Sequence, residues 1–382
     1  MSEPEPLRPA RRPRIPLTRK LLYSCLITGS LCLSLEYLLR WIIDDNPTEA
    51  TAESLHTEYD PQIGWVNKAD FFAADLYGAG KHLQTNSQRL RAADNYSPHP
   101  PSNKIRLICS GDSFTLGYGV GNQHTWCAQL ETIDPGIQTV NMGQGGYGID
   151  QAYLWYQTMK SQLRHHVHVF SFISIDFMRA TKTEFLGYGK PLLRVNDNRL
   201  QVTNTPVPDQ NTALRKWMDR SGTFRLLRNF RSRMPAREES SQHAEELAVY
   251  LFNQLHTEHH ARNRTLVLVH LPLRDDYFRG ADSWRRFLKT QARKHKWIYI
   301  DLLAGFQELA LPEIESMYLG HDLPFAGAAG HYNEKGNRFV AELLLPELLN
   351  IPMIREQYRG LTAASAGSPS APSPAPGDTS GP

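Results

Sequence analysis

The chain has 382 residues, 41% hydrophobic and 21% charged, which is enough for one large globular domain or two small ones. Its 42 basic and 39 acidic side chains leave a formal net charge of +3, so no strong field attracts nucleic acid, and we expect none as a partner. Of the four cysteines, Cys25 and Cys32 lie in an apolar N-terminal segment. We expect Cys109 and Cys127 to be buried free thiols.

The N-terminus has the charge pattern of a membrane anchor. Residues 1–20 contain six Arg or Lys and two Glu, and the mostly apolar run 21–43 follows directly. Glu36 and Arg40 interrupt this run one turn apart, at a spacing that allows them to pair. Residues 44–60 contain six acidic residues and no Lys or Arg. This asymmetry predicts a single inner-membrane span with a cytoplasmic N-terminus and a periplasmic, extracytoplasmic remainder.

Two alternatives to an anchor stay open for residues 21–43, namely a cleaved signal peptide and a buried soluble helix. No small-x-small cleavage motif follows the apolar run, which disfavours the signal peptide. Residues 44–103 are mixed in composition and include the Pro-rich "YSPHPPSN", so we expect an extended juxtamembrane lead-in. Residues 360–382 consist mainly of Ala, Ser, Pro and Gly and are predicted to be disordered.

Five short apolar runs predict the strands of a parallel sheet. They read "KIRLICSG", "IQTVNMG", "HVHVFSFISID", "TLVLVHLP" and "WIYIDLL". Segments with helical spacing lie between most of them, and this alternation indicates an α/β fold whose sheet is covered on both faces. The segment "KPLLRVNDNRLQVTNTPVP" predicts an inserted β-hairpin. The basic stretch 214–233 after it is helical in pattern, and either a solvated face or contact with an anionic polymer or lipid headgroups explains its charge.

The first of these runs leads into "GDSFTLGYG", which places Asp112 and Ser113 immediately after a buried strand. Ligands of open α/β sheets bind beyond the carboxyl ends of the strands. The start of a helix there also offers backbone N–H groups that stabilise negative charge. The second run ends in Asn141 and a glycine-rich loop, and the third ends at Asp176. Near the C-terminus, "GHYNEKGN" places His331 two residues before a predicted N-cap.

These blocks resemble, in sequence order, the motifs of the SGNH/GDSL hydrolase family. "GDSFTLGYGV" resembles the nucleophile block, "NMGQGGYG" the oxyanion block and "GHYNEKGNRFVAELL" the block with the catalytic histidine, within a domain at residues 104–359. Two further segments, "DPQIGWVNK" and "TNSQRLR", resemble those of an envelope-associated bacterial branch of this family. The resemblance implies a three-layer flavodoxin-like fold. It also implies a nucleophile at Ser113, a general base at His331, oxyanion-binding N–H groups at Ser113 and Gly143, and supporting roles for Asp112, Asn141 and Asp176.

The chain departs from the family pattern at two positions. Ile175 stands where the family has an oxyanion-binding asparagine, and its side chain cannot donate a hydrogen bond. Ser174 and Asn141 are possible substitutes. Ala328 stands where the family has the acid of the triad. Three alternatives remain for orienting the histidine: Asp322, a backbone carbonyl, or no group at all. A Ser–His pair is chemically workable without the acid.

Two histidine groups, "HHVHV" and "HTEHH", are possible metal ligands. Strand alternation would send His166 and His168 to one face, and His256 and His260 share one face of a helix. No cysteine or carboxylate stands at ligand spacing from them, so we expect no metal and no other cofactor.

Three functions fit these patterns. The first is a membrane-anchored extracytoplasmic serine esterase that hydrolyses or transfers O-acyl groups, chiefly acetyl, on a cell-envelope glycan. The second is a lipase or thioesterase that acts on lipid acyl esters. The third is a glycan-binding or assembly scaffold that retains the fold without the chemistry. The sequence leaves the natural substrate and the oligomeric state open.

Overall fold

The computed structural model describes residues 16–42, 52–209, 221–224, 226–227, 237–279 and 282–366. The chain divides into two compact units: residues 1–47 with 211–235, and residues 48–210 with 236–382. Most of the basic N-terminal stretch, and the predicted disordered tail from residue 367 onward, lie outside the described residues.

Strands and helices are numbered here in chain order. The strands are β1 (Thr57–Asp60), β2 (Gly64–Asn67), β3 (Phe72–Ala73), β4 (Leu83–Gln84), β5 (Ile105–Ser110), β6 (Ile137–Asn141), β7 (Val167–Phe172), β8 (Glu184–Phe185), β9 (Tyr188–Gly189), β10 (Leu192–Asn196), β11 (Arg199–Thr203), β12 (Thr265–His270) and β13 (Ile298–Asp301). The helices are α1 (Leu17–Ile42), α2 (Ala52–His56), α3 (Ser113–Leu116), α4 (Trp126–Ile133), α5 (Ile149–Met159), α6 (Ile175–Arg179), α7 (Arg237–Ala261), α8 (Arg274–Arg279), α9 (Ser283–His295), α10 (Leu303–Gln307), α11 (Leu311–Glu315), α12 (Glu334–Asn350) and α13 (Pro352–Ala366).

A five-stranded parallel sheet lies at the centre of the larger unit, in the order β13–β12–β7–β5–β6. These strands are the five apolar runs predicted from the sequence, so the α/β class and the parallel sheet are confirmed. Counted from β6 in order of appearance along the chain, they run 2-1-3-4-5, the order of flavodoxin-like folds. The order reverses between β5 and β7. Sheets of this type bind ligands at that point.

Helices cover both faces of the sheet. Successive side chains of a strand point to opposite faces, so Ile108 and Phe170 pack with α5 and α7. Leu107 and Val169 pack with α4 and α12 on the other face. Burial on both faces explains why the strands are apolar without alternation. Cys109 and Cys127 are both buried and free, as predicted.

The predicted hairpin is formed by β10 and β11, which pair antiparallel. Asp197 and Asn198 join them with φ angles of 49° and 56°. A two-residue turn of type I′ needs positive φ at both positions, and Asn and Asp tolerate it better than most residues. A buried ion pair between Lys190 and Asp150, 2.5 Å long, attaches the start of this insertion to α5.

Residues 52–103, which the sequence suggested as an extended lead-in, pack onto the sheet unit. The Trp65 indole N–H donates to the Gly145 carbonyl at 2.8 Å, in the glycine-rich loop after β6. The buried Arg91 guanidinium donates to the carbonyls of Gly117 and Val120 just after α3. This segment therefore supports the loops at the carboxyl edge of the sheet.

Helix α1 is long and apolar enough to cross a membrane, a property that it shares with N-terminal signal sequences. On this helix, Arg40 Nε lies 2.9 Å from Glu36 Oε1, and the two residues pair as their spacing predicts. At the other end of the chain, α13 continues to Ala366, into the stretch from Gly360 that the composition predicted to be disordered. The difference has a local cause, because "LTAASA" is rich in residues with high helix propensity.

Candidate active site

The serine block forms a sharp connection between β5 and α3. A Cβ on Gly111 would lie 2.3 Å from Thr115 Oγ1, so the turn has room for glycine alone. Asp112 caps α3 by accepting the Phe114 N–H at 2.9 Å. Ser113 is the first residue of the helix, and its backbone N–H donates to no described residue. The hydroxyl is thus held at the carboxyl edge of the sheet beside a free N–H group.

His331 reaches this hydroxyl from the loop before α12. Its Nε2 lies 2.7 Å from Ser113 Oγ. The Phe114 ring stacks on the imidazole with centroids 4.4 Å apart, which restricts rotation of the ring. Asn333 is the predicted N-cap of α12 and accepts the Gly336 N–H at 3.0 Å. When Nε2 accepts the serine proton, the proton of the neutral imidazole lies on Nδ1.

The histidine has no carboxylate partner among the described residues. Burial lowers the pKa of His331 to about 4, and the nearby carbonyls of Ala329 and Ala328 oppose this shift. Neither carbonyl forms a hydrogen bond of regular geometry with the buried Nδ1. Asp322, suggested from the sequence as an orienting acid, is exposed and forms no hydrogen bond with the ring. The described arrangement is therefore a Ser–His pair.

The glycine-rich loop differs from the sequence expectation. The Gly143 N–H, assigned by resemblance to the oxyanion, donates instead to Asn141 Oδ1 at 3.0 Å. A Cβ on Gly143 would lie 2.1 Å from Leu116 N, so this glycine permits close packing against α3. Gly146, another glycine of the same block, lines the same cavity as Ser113. The Gly146 N–H donates to no described residue, which leaves it free for a ligand.

Neither substitute suggested for the missing asparagine reaches the serine. The Ser174 hydroxyl bonds to His270 Nε2 at 2.9 Å and donates to Asp282. The Asn141 amide donates to the Thr115 carbonyl at 2.9 Å and so supports α3. Ile175 is 48% exposed and does not line the cavity. Position 175, where the SGNH/GDSL pattern has an asparagine, therefore lies outside the wall of the cavity that contains Ser113.

Arg179, at the end of α6, is a cation in the cavity wall that the sequence analysis missed. Its Nη1 donates to Asp176 Oδ1 at 2.7 Å and to Asp112 Oδ2 at 3.2 Å. Burial raises the pKa of both carboxyl groups, and the arginine charge opposes that shift. Arg179 Nε is buried without a partner in the described part of the chain. Its charge also helps to lower the pKa of His331, so the guanidinium lies electrostatically close to the base.

The Ser–His pair opens into a cavity of about 610 Å³. Its walls combine aromatic and ionisable side chains, among them Glu53, Tyr118, Arg179, Phe185 and Phe325. Glu53 comes from α2, at the start of the lead-in, and accepts the Tyr118 hydroxyl at 3.1 Å. Burial raises the pKa of Glu53. Apolar ring faces with a few polar groups are typical of small-molecule sites.

The histidine-rich segments meet elsewhere, at the amino ends of the strands. His168 Nδ1 lies 3.2 Å from His259 Nε2, and the Tyr156 hydroxyl contacts His259 and His165 at 3.0 and 3.2 Å. His168 Nε2 also bonds to Ser110 Oγ at 2.7 Å. The pairing differs from the alternation expected for His166, which accepts a backbone N–H instead. No cluster with metal-binding geometry occurs among the described residues.

No protein-family profile and no curated protein matches the chain. Solved structures that resemble it include a G-D-S-L family lipolytic protein from Veillonella parvula, 15% identical, which covers 65% of this chain and 100% of its own at a TM-score of 0.37. A putative G-D-S-L lipolytic protein from Desulfitobacterium hafniense is 12% identical, covers 64% of this chain and 100% of its own, and has a TM-score of 0.35. An acetylxylan esterase from Geobacillus stearothermophilus is 15% identical, covers 66% and 98%, and has a TM-score of 0.37. The assignment of function below rests on the residues themselves.

Proposed function

We propose that the protein is a membrane-anchored serine esterase of the SGNH/GDSL type. It acts outside the cytoplasm and hydrolyses or transfers O-acyl groups, chiefly acetyl, on a cell-envelope glycan. The observation that carries this proposal is the 2.7 Å contact between Ser113 Oγ and His331 Nε2 at the switch point of the sheet. A serine hydroxyl is a weak nucleophile unless a base accepts its proton, and this contact supplies that base.

In the proposed reaction, Ser113 Oγ attacks the ester carbonyl carbon and its proton moves to His331 Nε2. Negative charge develops on the carbonyl oxygen. The N–H groups of Ser113 and Gly146 and the positive charge of Arg179 stabilise it. The intermediate then collapses, the bond to the alcohol oxygen breaks, and His331 protonates the leaving alkoxide. Water or a glycan hydroxyl attacks the acyl-serine in a second, equivalent cycle.

The cavity supports a short acyl group on a sugar. Its volume of about 610 Å³ is within the range of small-molecule sites and leaves room for a sugar with a small acyl substituent. Tyr118, Phe185 and Phe325 offer ring faces, while Glu53 and Arg179 offer polar contacts to hydroxyl groups. A long-chain lipase would instead need a continuous apolar channel, which is why we place the lipid ester second. The anchor proposal places α1 in the inner membrane and the sheet unit in the periplasm.

Two specific observations favour the scaffold function. His331 Nδ1 has no carboxylate partner in the part of the chain that the structure describes, and the Ile175 side chain has no donor group, so two of the family's usual catalytic contributions are missing there. A scaffold would bind acylated glycan with unchanged affinity after Ser113→Ala and would turn nothing over. An esterase would turn the acylated glycan over, and Ser113→Ala would abolish that turnover.

Covalent labelling separates these functions. The full-length protein is incubated with a fluorophosphonate probe, and the labelled residue is located by mass spectrometry. The proposal predicts labelling at Ser113, loss of labelling in Ser113→Ala and strong slowing in His331→Ala. Ser174→Ala is the matched control, because this serine also contacts a histidine but lies outside the cavity. Absence of label in folded wild-type protein would favour the scaffold.

A further inference from the structure

The smaller unit contains a contact that the esterase chemistry does not explain. Glu36 of α1 is bonded to a segment that lies about 185 positions further along the chain. The Gly222 and Thr223 N–H groups donate to its carboxylate at 2.7 and 3.1 Å. The hydroxyls of Ser221 and Thr223 donate at 3.1 and 2.8 Å. We call residues 221–224 with 226–227 the return segment, because it brings the chain back to α1.

The backbones of the return segment and α1 also touch. A Cβ on Gly222 would lie 2.8 Å from Leu39 Cβ and 2.9 Å from Arg40 N, so a larger residue does not fit without a shift. Glu36 and Leu39 lie on one face of α1, and among its described residues they alone are partly covered. Small residues at a close helix contact are typical of association within membranes.

This contact explains how the apolar helix holds an acidic residue. At about 1.5 Å of rise per residue, Glu36 lies roughly 22 Å along the helix from Leu21. That position is still within or at the edge of a hydrocarbon core of about 30 Å. An unpaired carboxylate there is costly, and such charges in membrane helices are normally paired. Arg40 and the donors of the return segment together provide its partners.

The other side of the return segment is apolar and unlike a solvated surface. Phe224, Leu226 and Leu227 are 38%, 46% and 58% exposed. The surrounding sequence, residues 211–235, contains seven Arg or Lys and one Asp. Exposed apolar side chains beside basic residues are the composition of helices that lie in the membrane interface. The apolar surface is also continuous with α1, which is exposed over most of its length.

We propose that the return segment is a second membrane contact. Its apolar side chains enter the headgroup–acyl boundary of the outer leaflet, the basic residues of the surrounding sequence add a positive charge that attracts anionic headgroups, and Glu36 fixes it to the spanning helix. This inference rests on the proposed anchoring by α1. It deepens that proposal, since the chain then meets the bilayer both before and within the sheet-forming part of its sequence. The occupant of the apolar face is lipid and not a protein partner.

Depth-dependent quenching tests the inference in the full chain, reconstituted in vesicles of phosphatidylethanolamine and phosphatidylglycerol. Single cysteines at Leu227, Leu31 and Gln201 carry an environment-sensitive fluorophore, after the exposed Cys25 and Cys32 are changed to serine. Spin-labelled lipids are then added. We expect strong quenching at Leu31 and Leu227 and none at Gln201, an exposed residue of the β10–β11 hairpin.

Gly222→Leu separates the contact with Glu36 from lipid binding in general. The bulky side chain should displace the return segment, so quenching at Leu227 falls while quenching at Leu31 is retained. Gly320→Leu is the matched control, because no atom lies within 4 Å of a Cβ at that glycine. Unchanged quenching at Leu227 in Gly222→Leu would contradict the role of Glu36.

The quenching pattern also separates the inference from the anchor. Quenching at Leu31 with none at Leu227 overturns the second membrane contact and leaves the anchor intact. A probe at Leu227 that is shielded from water-soluble quencher, yet untouched by spin-labelled lipid, assigns the face to a protein and also overturns it. No quenching at Leu31 overturns the anchor, and with it this inference.

Discussion

Ser113 Oγ and His331 Nε2 lie 2.7 Å apart although 218 positions separate the two residues in the chain. The carboxyl end of β5 presents the serine, and the loop before α12 presents the histidine. No carboxylate among the described residues orients His331, so the pair is positioned by packing, chiefly by the ring of Phe114. Mutation and pH dependence can establish whether such a pair is sufficient for ester chemistry.

The pH dependence of the reaction should show a base with a low pKa. Burial lowers the pKa of His331 to about 4 from an ordinary value of 6.5, so the neutral base is already present at mildly acidic pH. We therefore expect kcat/KM to rise with pH around 4 and to stay level through neutrality. A profile of kcat/KM against pH, recorded with p-nitrophenyl acetate, measures this rise on the acidic side. A midpoint near 6.5 would mean that the histidine is solvated in the working enzyme.

An acidic residue at position 328 should make the His331 imidazole a stronger base. In Ala328→Asp, a carboxylate three residues before His331 can stabilise the imidazolium that forms in the transition state. We expect the acid limb to move to higher pH and kcat to rise by about tenfold, a small part of what a triad acid contributes elsewhere. Ala328→Asn is the matched control with similar volume and no charge. Equal effects of the two variants would argue against an electrostatic cause.

Arg179 should matter more for turnover than for binding. Lysine keeps a charge but loses the planar fork and Nε. We expect Arg179→Lys to lower kcat by about 100-fold with a much smaller change in KM, the size of effect seen when one oxyanion donor is lost. Thermal unfolding of the same variant checks that the pairing with Asp112 and Asp176 survives.

Ile175→Asn is the contrasting variant for the oxyanion site. It introduces the asparagine of the SGNH/GDSL pattern at a position that does not line the cavity, so kcat should stay within about twofold, as for an ordinary surface substitution. A large gain in Ile175→Asn would show that this position reaches the reacting oxygen.

The buried histidine cluster should make the fold sensitive to acid. Burial lowers the pKa of His165 to about 3 and that of His259 to about 4, from 6.5. The unfolded chain therefore binds more protons below pH 6.5, and stability falls as pH drops from there toward 4. Each histidine contributes a loss of about 2 kcal/mol by pH 5. Denaturant unfolding of wild type and His259→Gln between pH 8 and pH 5 measures the slope, which the variant should reduce.

The lead-in should support the nucleophile helix. Arg91 donates to the carbonyls of Gly117 and Val120, which otherwise end buried and unpaired. Arg91→Met keeps most of the side-chain volume and removes these bonds. We expect a loss of about 3 kcal/mol in the free energy of unfolding, together with lower kcat, because unsatisfied buried groups are costly. Arg89→Met is a matched control on the exposed side of the same segment.

The sheet was predictable because its signal is local. β-Branched and aromatic residues in runs bounded by polar loops identify a strand without knowledge of its neighbours. The pairing of Ser113 with His331 followed from the resemblance of their short motifs to the SGNH/GDSL blocks, and the two side chains lie 2.7 Å apart in the structure. The hairpin turn at Asp197 and Asn198 was likewise predictable from a local sequence signal.

The rest depended on contacts that no local pattern records. Among the glycines of "GQGGYG", Gly146 lines the cavity, whereas the Gly143 N–H donates to the Asn141 side chain. Strand alternation paired His166 with His168, but β7 begins at Val167, and alternation does not apply before a strand begins. Glu53 reaches the cavity, and Arg91 reaches the residues after α3, from a lead-in whose sequence has no regular period.

The hydrolysis of p-nitrophenyl acetate and butyrate by the full-length protein, beside Ser113→Ala and His331→Ala, tests the central claim most directly. The account predicts turnover in wild type, a preference for acetate, and a loss of about 1000-fold or more in kcat/KM in each variant. If wild type and both variants share one background rate while remaining folded, Ser113 and His331 form a pair without catalytic function, and the esterase proposal is wrong.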